Sequence, residues 1–246
     1  MIHPEIKSLY KYKPINQFTL DIIANDRIFY PLPGSFNDPF DTKCSFKNKS
    51  ALTQTADEKK IAQAFPDENP SDITVFTRTD LTQEIDVFKN RLNNFGILSL
   101  TGNAKNILMW SHYAEDHKGI CIEFERNKVN GLGDSEKTKK VNYTKNYPSL
   151  SSKTFLSKKD TESSLMRVLY TKSESWSYEQ EWRMLIPQGN TVYAVPGKVK
   201  SIIFGARASN MDIDIIEQLI KNKNVVLNKA VLKESEFGIK LEKFIR

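Results

Sequence analysis

Cysteine, histidine and long apolar runs are scarce in this chain of 246 residues, and each scarcity excludes a class of protein. Two cysteines, Cys44 and Cys121, cannot form the disulfide framework that holds small secreted domains together. Three histidines without paired cysteines do not give the ligand spacing of a structural zinc site. No window approaches the roughly 18 apolar residues of a membrane-spanning helix. We therefore expect a cytoplasmic protein that depends on its hydrophobic core and needs no metal.

Several well-known catalytic and targeting signatures are also missing. The ten glycines are scattered, so the chain has no Walker loop and no GxGxxG fingerprint. It also lacks a GxSxG nucleophile elbow and the HExxH pattern of zinc proteases. The first residues, MIHPEIK, lack the apolar stretch of a signal peptide. Both cysteines have apolar or aromatic neighbours and are expected to be reduced core residues; a thiol nucleophile would need His112 or His117 as its base.

The net charge of +6, from 36 basic and 30 acidic residues, is modest. Much of the excess is scattered lysine, which is typical of a solvated surface. Attraction to nucleic acid or another polyanion is the alternative. No basic helix or RNA-binding signature favours that alternative.

Short strands and helices alternate without a steady βαβ rhythm. Residues 8–13 and 27–30 predict strands, and Asn16 predicts the N-cap of a helix between them. Residues 56–65 and 79–94 predict helices, the second with a buried stripe of Leu81, Ile85, Phe88 and Leu92. We expect an α+β fold with a mixed, mostly antiparallel sheet, in one domain over residues 1–246 with a helical insertion over 54–94.

Three segments carry the side chains that could act chemically, and the first is SFNDPFD at 35–41. Asn37, Asp38 and Asp41 place three side-chain acceptors within five residues, and Pro39 restricts Asp38 to an extended conformation. One interpretation is a rigid loop anchored by Phe36 and Phe40. The other is a loop that presents Asn37 or Asp38 to a ligand, or Asp38 and Asp41 to a divalent cation.

The second segment is MWSHYAEDHKG at 109–119, predicted as a helix over 106–117 that Gly119 closes. Trp110, Tyr113 and His117 would share one face, while His112 points elsewhere. That face could stack a planar ring beside one titratable group. Packing of Trp110 and Tyr113 on the sheet is the alternative.

The third segment is WSYEQEWR at 176–183. On an extended chain Glu179 and Glu181 would lie on one face, with Gln180 opposite. Two such carboxylates repel each other, which raises the pKa of at least one of them and is common at functional sites. Arg183 follows on the same face and could compensate. The pattern therefore predicts either a structural Glu–Arg network or a catalytic carboxylate.

Together these segments resemble the family known as domain of unknown function 2971. The stretches that carry the resemblance occur in the family's order from about residue 9 to 208: LYKYK at 9–13, SFNDPFD at 35–41, GILSLT at 96–101, MWSHYA at 109–114, HKG at 117–119, WSYEQEWR at 176–183 and IFG at 203–205. The family name implies no activity.

The Glu-x-Glu pattern beside a strand also resembles that of ADP-ribosyltransferases. This resemblance implies an NAD-consuming effector, such as a toxin or phage-defence protein, that modifies a protein or nucleic acid and has a neutralising partner. Glu181, with Glu179, would stabilise the oxocarbenium-like transition state. The residues that would bind the cofactor are Lys11, Tyr12 and Lys13 of the early strand, Tyr30 of the second strand, Ser35 after it, and Trp110, His112 and Tyr113. Lysine stands where that family has arginine or histidine, which is not a conservative change.

Two other functions stay open at this point. One is a metal-dependent nuclease or hydrolase that uses Asp38, Asp41, Glu179 and Glu181. No histidine or lysine lies in a recognised nuclease spacing beside those acids. The other is a non-catalytic ligand-binding or interaction module.

Overall fold

The chain folds into short strands and helices that group into two compact units. The computed structural model describes residues 2–46, 66 and 78–245. The first unit comprises Met1–Pro31, Gly96–Val141 and Ser175–Arg246, and the second comprises Leu32–Phe95 and Asn142–Glu174. The single domain expected over residues 1–246 stays a prediction, because compact units can fold either together or separately.

The strands of the described residues fall in both units. In chain order they are β1 (Ser8–Lys13), β2 (Arg27–Tyr30), β3 (Ser45–Phe46), β4 (Gly96–Thr101), β5 (Ile120–Glu125), β6 (Thr138–Lys140), β7 (Asn142–Thr144), β8 (Ser149–Leu150), β9 (Thr171–Ser173), β10 (Glu181–Ile186), β11 (Thr191–Ala194), β12 (Val199–Phe204), β13 (Val226–Leu232) and β14 (Ile239–Lys243).

The helices of the described residues include five α-helices and three short 3₁₀ segments. The α-helices are α1 (Gln17–Asn25), α2 (Arg78–Asn94), α3 (Ile107–Tyr113), α4 (Lys158–Leu169) and α5 (Asn210–Ile220). The 3₁₀ segments are Pro33–Ser35, Ser152–Phe155 and Glu174–Glu179. No helix in the described ranges has the length and apolar content needed to cross a membrane.

A mixed sheet forms the centre of the first unit. Eight of the described strands pair in the order β14-β13-β12-β5-β1-β4-β10-β6. The β12–β13 pair is parallel, and the other neighbours in this sheet are antiparallel. The expected α+β fold with a mostly antiparallel sheet is therefore confirmed.

Alternating side chains cover the two faces of this sheet with separate cores. One face buries Leu9, Leu98 and Ile122 against residues of α1 and α5. The opposite face buries Tyr12 and Cys121 against residues of α3. Each fully buried aliphatic side chain contributes about 1.5–3 kcal/mol, so these two layers hold the sheet that carries the site residues.

The second unit contains α2, α4 and two small parallel ribbons, β3–β8 and β7–β9. Helix α2 buries Ile85, Phe88 and Leu92, as the helical spacing predicts. The Phe88 ring meets Phe155 edge to face, with ring centroids 5.8 Å apart. The helix predicted over 56–65, and most of the proposed insertion over 54–94, lie outside the described residues.

The helix predicted over residues 106–117 is shorter than expected. Asn106 caps it, but α3 ends at Tyr113. Glu115, Asp116 and His117 follow with left-handed φ angles of 49°, 52° and 69°, which no right-handed helix accommodates. Gly119 does not close the helix; a Cβ there would lie 2.2 Å from the Lys13 carbonyl oxygen. Glycine is needed because the backbone of β1 passes at that point.

Candidate functional site

Glu181 and Arg183 form a buried ion pair at the start of β10. The Arg183 Nε donates to Glu181 Oε1 at 2.8 Å, and Nη2 donates to Oε2 at 3.2 Å. Their side chains are 3% and 0% exposed. A guanidinium bound through two nitrogens fixes a carboxylate's orientation and favours its ionised form. The expected Glu–Arg contact is therefore present, and it fixes the orientation of the Glu181 carboxylate.

Glu179 lies at the end of a 3₁₀ segment instead of on the strand. The following Gln180 has a left-handed φ of 48° and is exposed, and Glu181 begins β10. The expectation of one extended stretch through both glutamates was wrong, because the left-handed residue turns the chain between them. The Tyr113 hydroxyl donates to Glu179 Oε1 at 2.5 Å, and the Thr101 hydroxyl donates to the Glu179 carbonyl at 2.6 Å. Both bonds hold the buried Glu179 in place.

Lys11 lies where β1 and β4 separate. These strands pair at a single position, Tyr10 with Thr101, whereas β4 and β10 pair along six positions. The half-buried Lys11 ammonium donates to the Ser99 carbonyl of β4 at 2.7 Å. Desolvation, with a smaller repulsion from Lys13, lowers the pKa of Lys11 to about 7, although the charges of Glu181 and Glu179 act in the opposite direction. Desolvation also lowers the pKa of Lys13.

The 3₁₀ segment Glu174–Glu179 is tied to α3 through several polar side chains. Asn106 accepts from the backbone of Leu108 and Met109 through Oδ1, and its Nδ2 donates to the Tyr178 carbonyl at 2.6 Å. His112 Nδ1 lies 3.0 Å from the Tyr178 hydroxyl. Together with the Tyr113–Glu179 bond, these contacts bring the second and third sequence segments together. Asn106 and Tyr178 were not predicted as site residues, although Tyr178 lies within the third segment.

Three aromatic residues proposed to bind cofactor lie in the two cores. Trp110 is fully buried, and its indole N–H donates to the Ala104 carbonyl at 2.9 Å. The Tyr12 ring meets Trp110 edge to face at 5.0 Å, and its hydroxyl donates to the Asn103 carbonyl. Tyr30 is 1% exposed and packs on the opposite face of the sheet. These rings pack against the protein in this state, in line with the sheet-packing interpretation of Trp110.

His117 stacks on Trp110, with ring centroids 6.3 Å apart and planes 14° from parallel. Its Nδ1 is buried and has no hydrogen-bond partner in the described part of the chain. Desolvation and the nearby Arg207 lower the pKa of His117, against the opposing charge of Asp116. His117 is therefore held mainly in its neutral form against the indole.

The SFNDPFD segment belongs to the second unit. Asp38 Oδ1 accepts from the Phe40 backbone at 2.9 Å, which closes an Asx turn, while its buried Oδ2 has no hydrogen-bond partner among the described residues. Phe40 is 64% exposed and does not anchor the loop, contrary to the sequence interpretation. Asp41 is buried, with its Oδ2 3.9 Å from the Lys172 ammonium. Ser35 and Asn37 are exposed, and the Ser35 hydroxyl donates to the Leu32 carbonyl.

The structure thus brings one set of predicted residues together in the first unit: His112, Tyr113, Glu179, Glu181 and Arg183. Lys11 contacts the Ser99 carbonyl of the neighbouring strand β4, and the charges of Glu181 and Glu179 act to raise its pKa. Within the described residues, no group of three or more His, Cys, Asp or Glu side chains is arranged to hold a metal ion. The metal-dependent alternative gains no support from these residues.

Comparison with known proteins gives a family match over residues 109–184. That stretch matches the model of a family described as "Protein of unknown function (DUF2971)". The matched stretch begins within α3 and ends within β10. It therefore includes Tyr113, Glu179, Glu181 and Arg183. No curated protein and no solved structure matches the chain. The match supports the family resemblance over less than one third of the chain, and the likeness to ADP-ribosyltransferases rests on the residues alone.

Proposed function

We propose that this chain is an enzyme that cleaves the nicotinamide–ribose bond of NAD and transfers the ADP-ribosyl group to a protein or nucleic-acid acceptor. The observation that carries the proposal is the Glu181 carboxylate, held by two hydrogen bonds from Arg183 at the start of β10. Lys11 lies close enough for its pKa to respond to the charges of Glu181 and Glu179.

The state of Glu181 suits this reaction in particular. When the bond between ribose and the nicotinamide nitrogen breaks, both bonding electrons leave with the ring, which departs neutral and needs no proton. The ribose carbon becomes oxocarbenium-like and is stabilised by a nearby anion. A carboxylate kept ionised by Arg183 supplies that anion. It would serve poorly as the general acid that hydrolysis of an O-glycoside requires.

Lys11 provides a base for the second half of the reaction. Because its pKa is lowered to about 7, a substantial fraction of Lys11 is neutral near neutral pH. The neutral amine can accept the proton that the acceptor nucleophile loses as it bonds to the ribose carbon. The protonated lysine then returns its proton to water.

Substrate access in this proposal requires side chains to move. Glu179 and Glu181 are both buried, and the half-buried Tyr113 covers Glu179 through its hydroxyl. Tyr113 and the exposed His112 lie on the last turn of the short helix α3. Rotation of Tyr113 would expose Glu179 and open a path to Glu181.

The test is release of nicotinamide from labelled NAD by the purified chain in the presence of a cell lysate. Glu181→Gln keeps the shape of the side chain and removes its charge, so release should fall by about a hundredfold or more. Glu123→Gln is the matched control. Glu123 pairs with Tyr10, Tyr10 pairs with Thr101, and Thr101 pairs with Glu181, so the two glutamates lie in one row across the sheet. The Glu123 carboxylate accepts hydrogen bonds from Ser8, Ser201 and Lys200.

The two variants separate a catalytic role from a structural one. Glu123→Gln should retain release at close to the wild-type rate, and thermal unfolding should show both variants folded. Release that survives Glu181→Gln, or a wild-type chain that neither releases nicotinamide nor labels any component, would contradict the proposal.

A further inference from the structure

Among the described residues, a cavity in the second unit is lined by three lysines and by no acidic residue. Its volume is about 330 Å³, and Lys43, Lys145 and Lys172 contribute to its wall. Two aromatic residues, Phe40 and Tyr147, line the same cavity. Neither Lys145 nor Tyr147 belongs to the residues proposed to act on NAD.

Two parallel ribbons position the residues of this cavity. Strand β7 pairs with β9, placing Thr144 opposite Ser173 and Tyr143 opposite Lys172. The turn after β7 is held by a bond from the Thr144 hydroxyl to the Asn146 carbonyl at 2.8 Å. The Ser45 backbone donates to the Pro148 carbonyl at 3.0 Å, where the β3–β8 ribbon begins. Lys145 and Tyr147 are therefore presented from a turn that is fixed at both ends.

The charges around the cavity favour an anion. Lys172 is 8% exposed, and its ammonium lies 3.9 Å from Asp41 Oδ2. Lys43 and Lys145 are exposed and form no salt bridge with another described residue. Three lysines give the described part of the wall a positive charge, and phosphate is a common ligand for such a wall.

The aromatic side chains favour a ligand that carries a planar ring. Phe40 is 64% exposed and Tyr147 is 45% exposed, although each has a large apolar ring. Nucleic-acid bases stack on exposed aromatic rings of this kind, whatever the base, because every base has a π-face. Positive charge next to exposed aromatic rings thus matches the two parts of a nucleotide.

We propose that this cavity binds a nucleoside monophosphate unit, with the phosphate on Lys43, Lys145 and Lys172 and the base against Phe40 or Tyr147. The volume lies at the lower end of the roughly 300–1,000 Å³ found for ligand sites, which suits one nucleotide rather than a larger ligand. The unit can come from a free nucleotide or from the phosphorylated end of a strand. The inference does not depend on the proposed cleavage of NAD.

Calorimetric titration of the full chain with AMP, adenosine and inorganic phosphate tests the inference. AMP should bind more tightly than either part alone. Lys145→Gln should weaken AMP by about tenfold or more, the loss expected for a charge-assisted contact. Tyr147→Leu should weaken AMP but leave inorganic phosphate unchanged. Lys159→Gln, an exposed lysine of α4 outside the cavity lining, is the matched control and should bind AMP as the wild type does.

An oligonucleotide with and without a 5′ phosphate distinguishes the two sources of the ligand. Tighter binding of the phosphorylated strand than of AMP assigns the site to strand ends, and the reverse assigns it to free nucleotides. Saturable AMP binding that neither Lys145→Gln nor Tyr147→Leu changes, or no binding at millimolar AMP, would overturn the inference. Glu181→Gln should retain AMP binding, so failure of NAD cleavage and failure of this site are separate results.

Discussion

Arg183 and Glu181 lie two residues apart on β10, and the guanidinium donates to both carboxylate oxygens, at 2.8 and 3.2 Å. Successive residues of a strand point to opposite faces, so this spacing places both side chains on one face of the sheet. Both side chains are buried, so removing either charge leaves the other in the interior without this ion pair. The pair therefore couples the stability of β10 to the charge state of the proposed catalytic carboxylate.

Removing the cation alone should be more harmful than removing both charges. We expect Arg183→Met to lower the free energy of unfolding by about 3–5 kcal/mol, because it leaves Glu181 ionised and buried. The double variant Arg183→Met with Glu181→Gln should recover part of this loss. Urea unfolding of the two single variants and the double variant measures the coupling. Additive losses would show that the two side chains do not stabilise each other.

Lys11 should make stability depend on pH in a defined direction. Its pKa falls from 10.5 to about 7 on folding, so between these values the unfolded chain binds more protons than the folded chain. The free energy of unfolding contributed by Lys11 therefore rises from about pH 7 to about pH 10.5, and below pH 7 the cost of a desolvated ammonium is fully present. Urea unfolding across this range should show a smaller rise in Lys11→Met than in the wild type. Equal slopes would contradict the lowered pKa.

The same lysine should shape the pH dependence of nicotinamide release if it acts as the proposed base. The rate should rise as the pH passes about 7, because the neutral amine becomes the main form. Lys11→Arg keeps a positive charge at all accessible pH values and cannot serve as that base. Its rate should be low and flat across the range, whereas a purely structural Lys11 would leave the wild-type profile in the variant.

Local patterns in the sequence predict much of the secondary structure, but not which polar residues meet. Asn16 and the spacing of Ile85, Phe88 and Leu92 predict α1 and α2, because capping and helical periodicity act over a few residues. The end of α3 could not be predicted in this way. The left-handed run from Glu115 to His117 involves tertiary hydrogen bonds, such as the Arg207 backbone N–H to the His117 carbonyl at 2.9 Å.

In the candidate site, too, local spacing predicts some contacts, and others depend on the tertiary structure. The two-residue spacing of Glu181 and Arg183 predicts their contact, since both lie on one strand. Lys11 and Ser99 are 88 positions apart in the chain, and their contact forms where β1 and β4 separate. No local pattern in the sequence predicts it. The residue types of Trp110 and Tyr12 suit ligand stacking and core packing equally. The surrounding sheet and helix show that both rings are buried.

Tyr113→Phe tests the bond that holds Glu179. The substitution removes one hydroxyl and leaves the ring, so the expected loss is about 1.5–3 kcal/mol, as for a hydrogen bond to a charged group. Tyr178→Phe, which removes the hydroxyl beside His112, is the comparison and should cost less because His112 is exposed. Thermal and urea unfolding of the two variants provide the measurement. A larger loss in Tyr178→Phe would show that the Tyr113–Glu179 bond is not the stronger connection between α3 and the 3₁₀ segment.

The left-handed turn before β5 should be sensitive to a single methyl group at Gly205. A Cβ at Gly205 would lie 2.0 Å from the His117 carbonyl oxygen and 2.9 Å from the Gly119 carbonyl oxygen. Both contacts are with backbone, which also accepts hydrogen bonds from Arg207 and Gly205, so the neighbours cannot move aside without breaking those bonds. Gly205→Ala should therefore destabilise the chain by about 1–3 kcal/mol or more.

Gly34→Ala, where a Cβ meets nothing within 4 Å, is the control, and its free energy of unfolding should stay within about 0.5 kcal/mol of the wild type. Equal unfolding free energies for the two variants would mean that the turn from Glu115 to His117 can shift, and that His117 is not fixed against Trp110 by the backbone of Gly205.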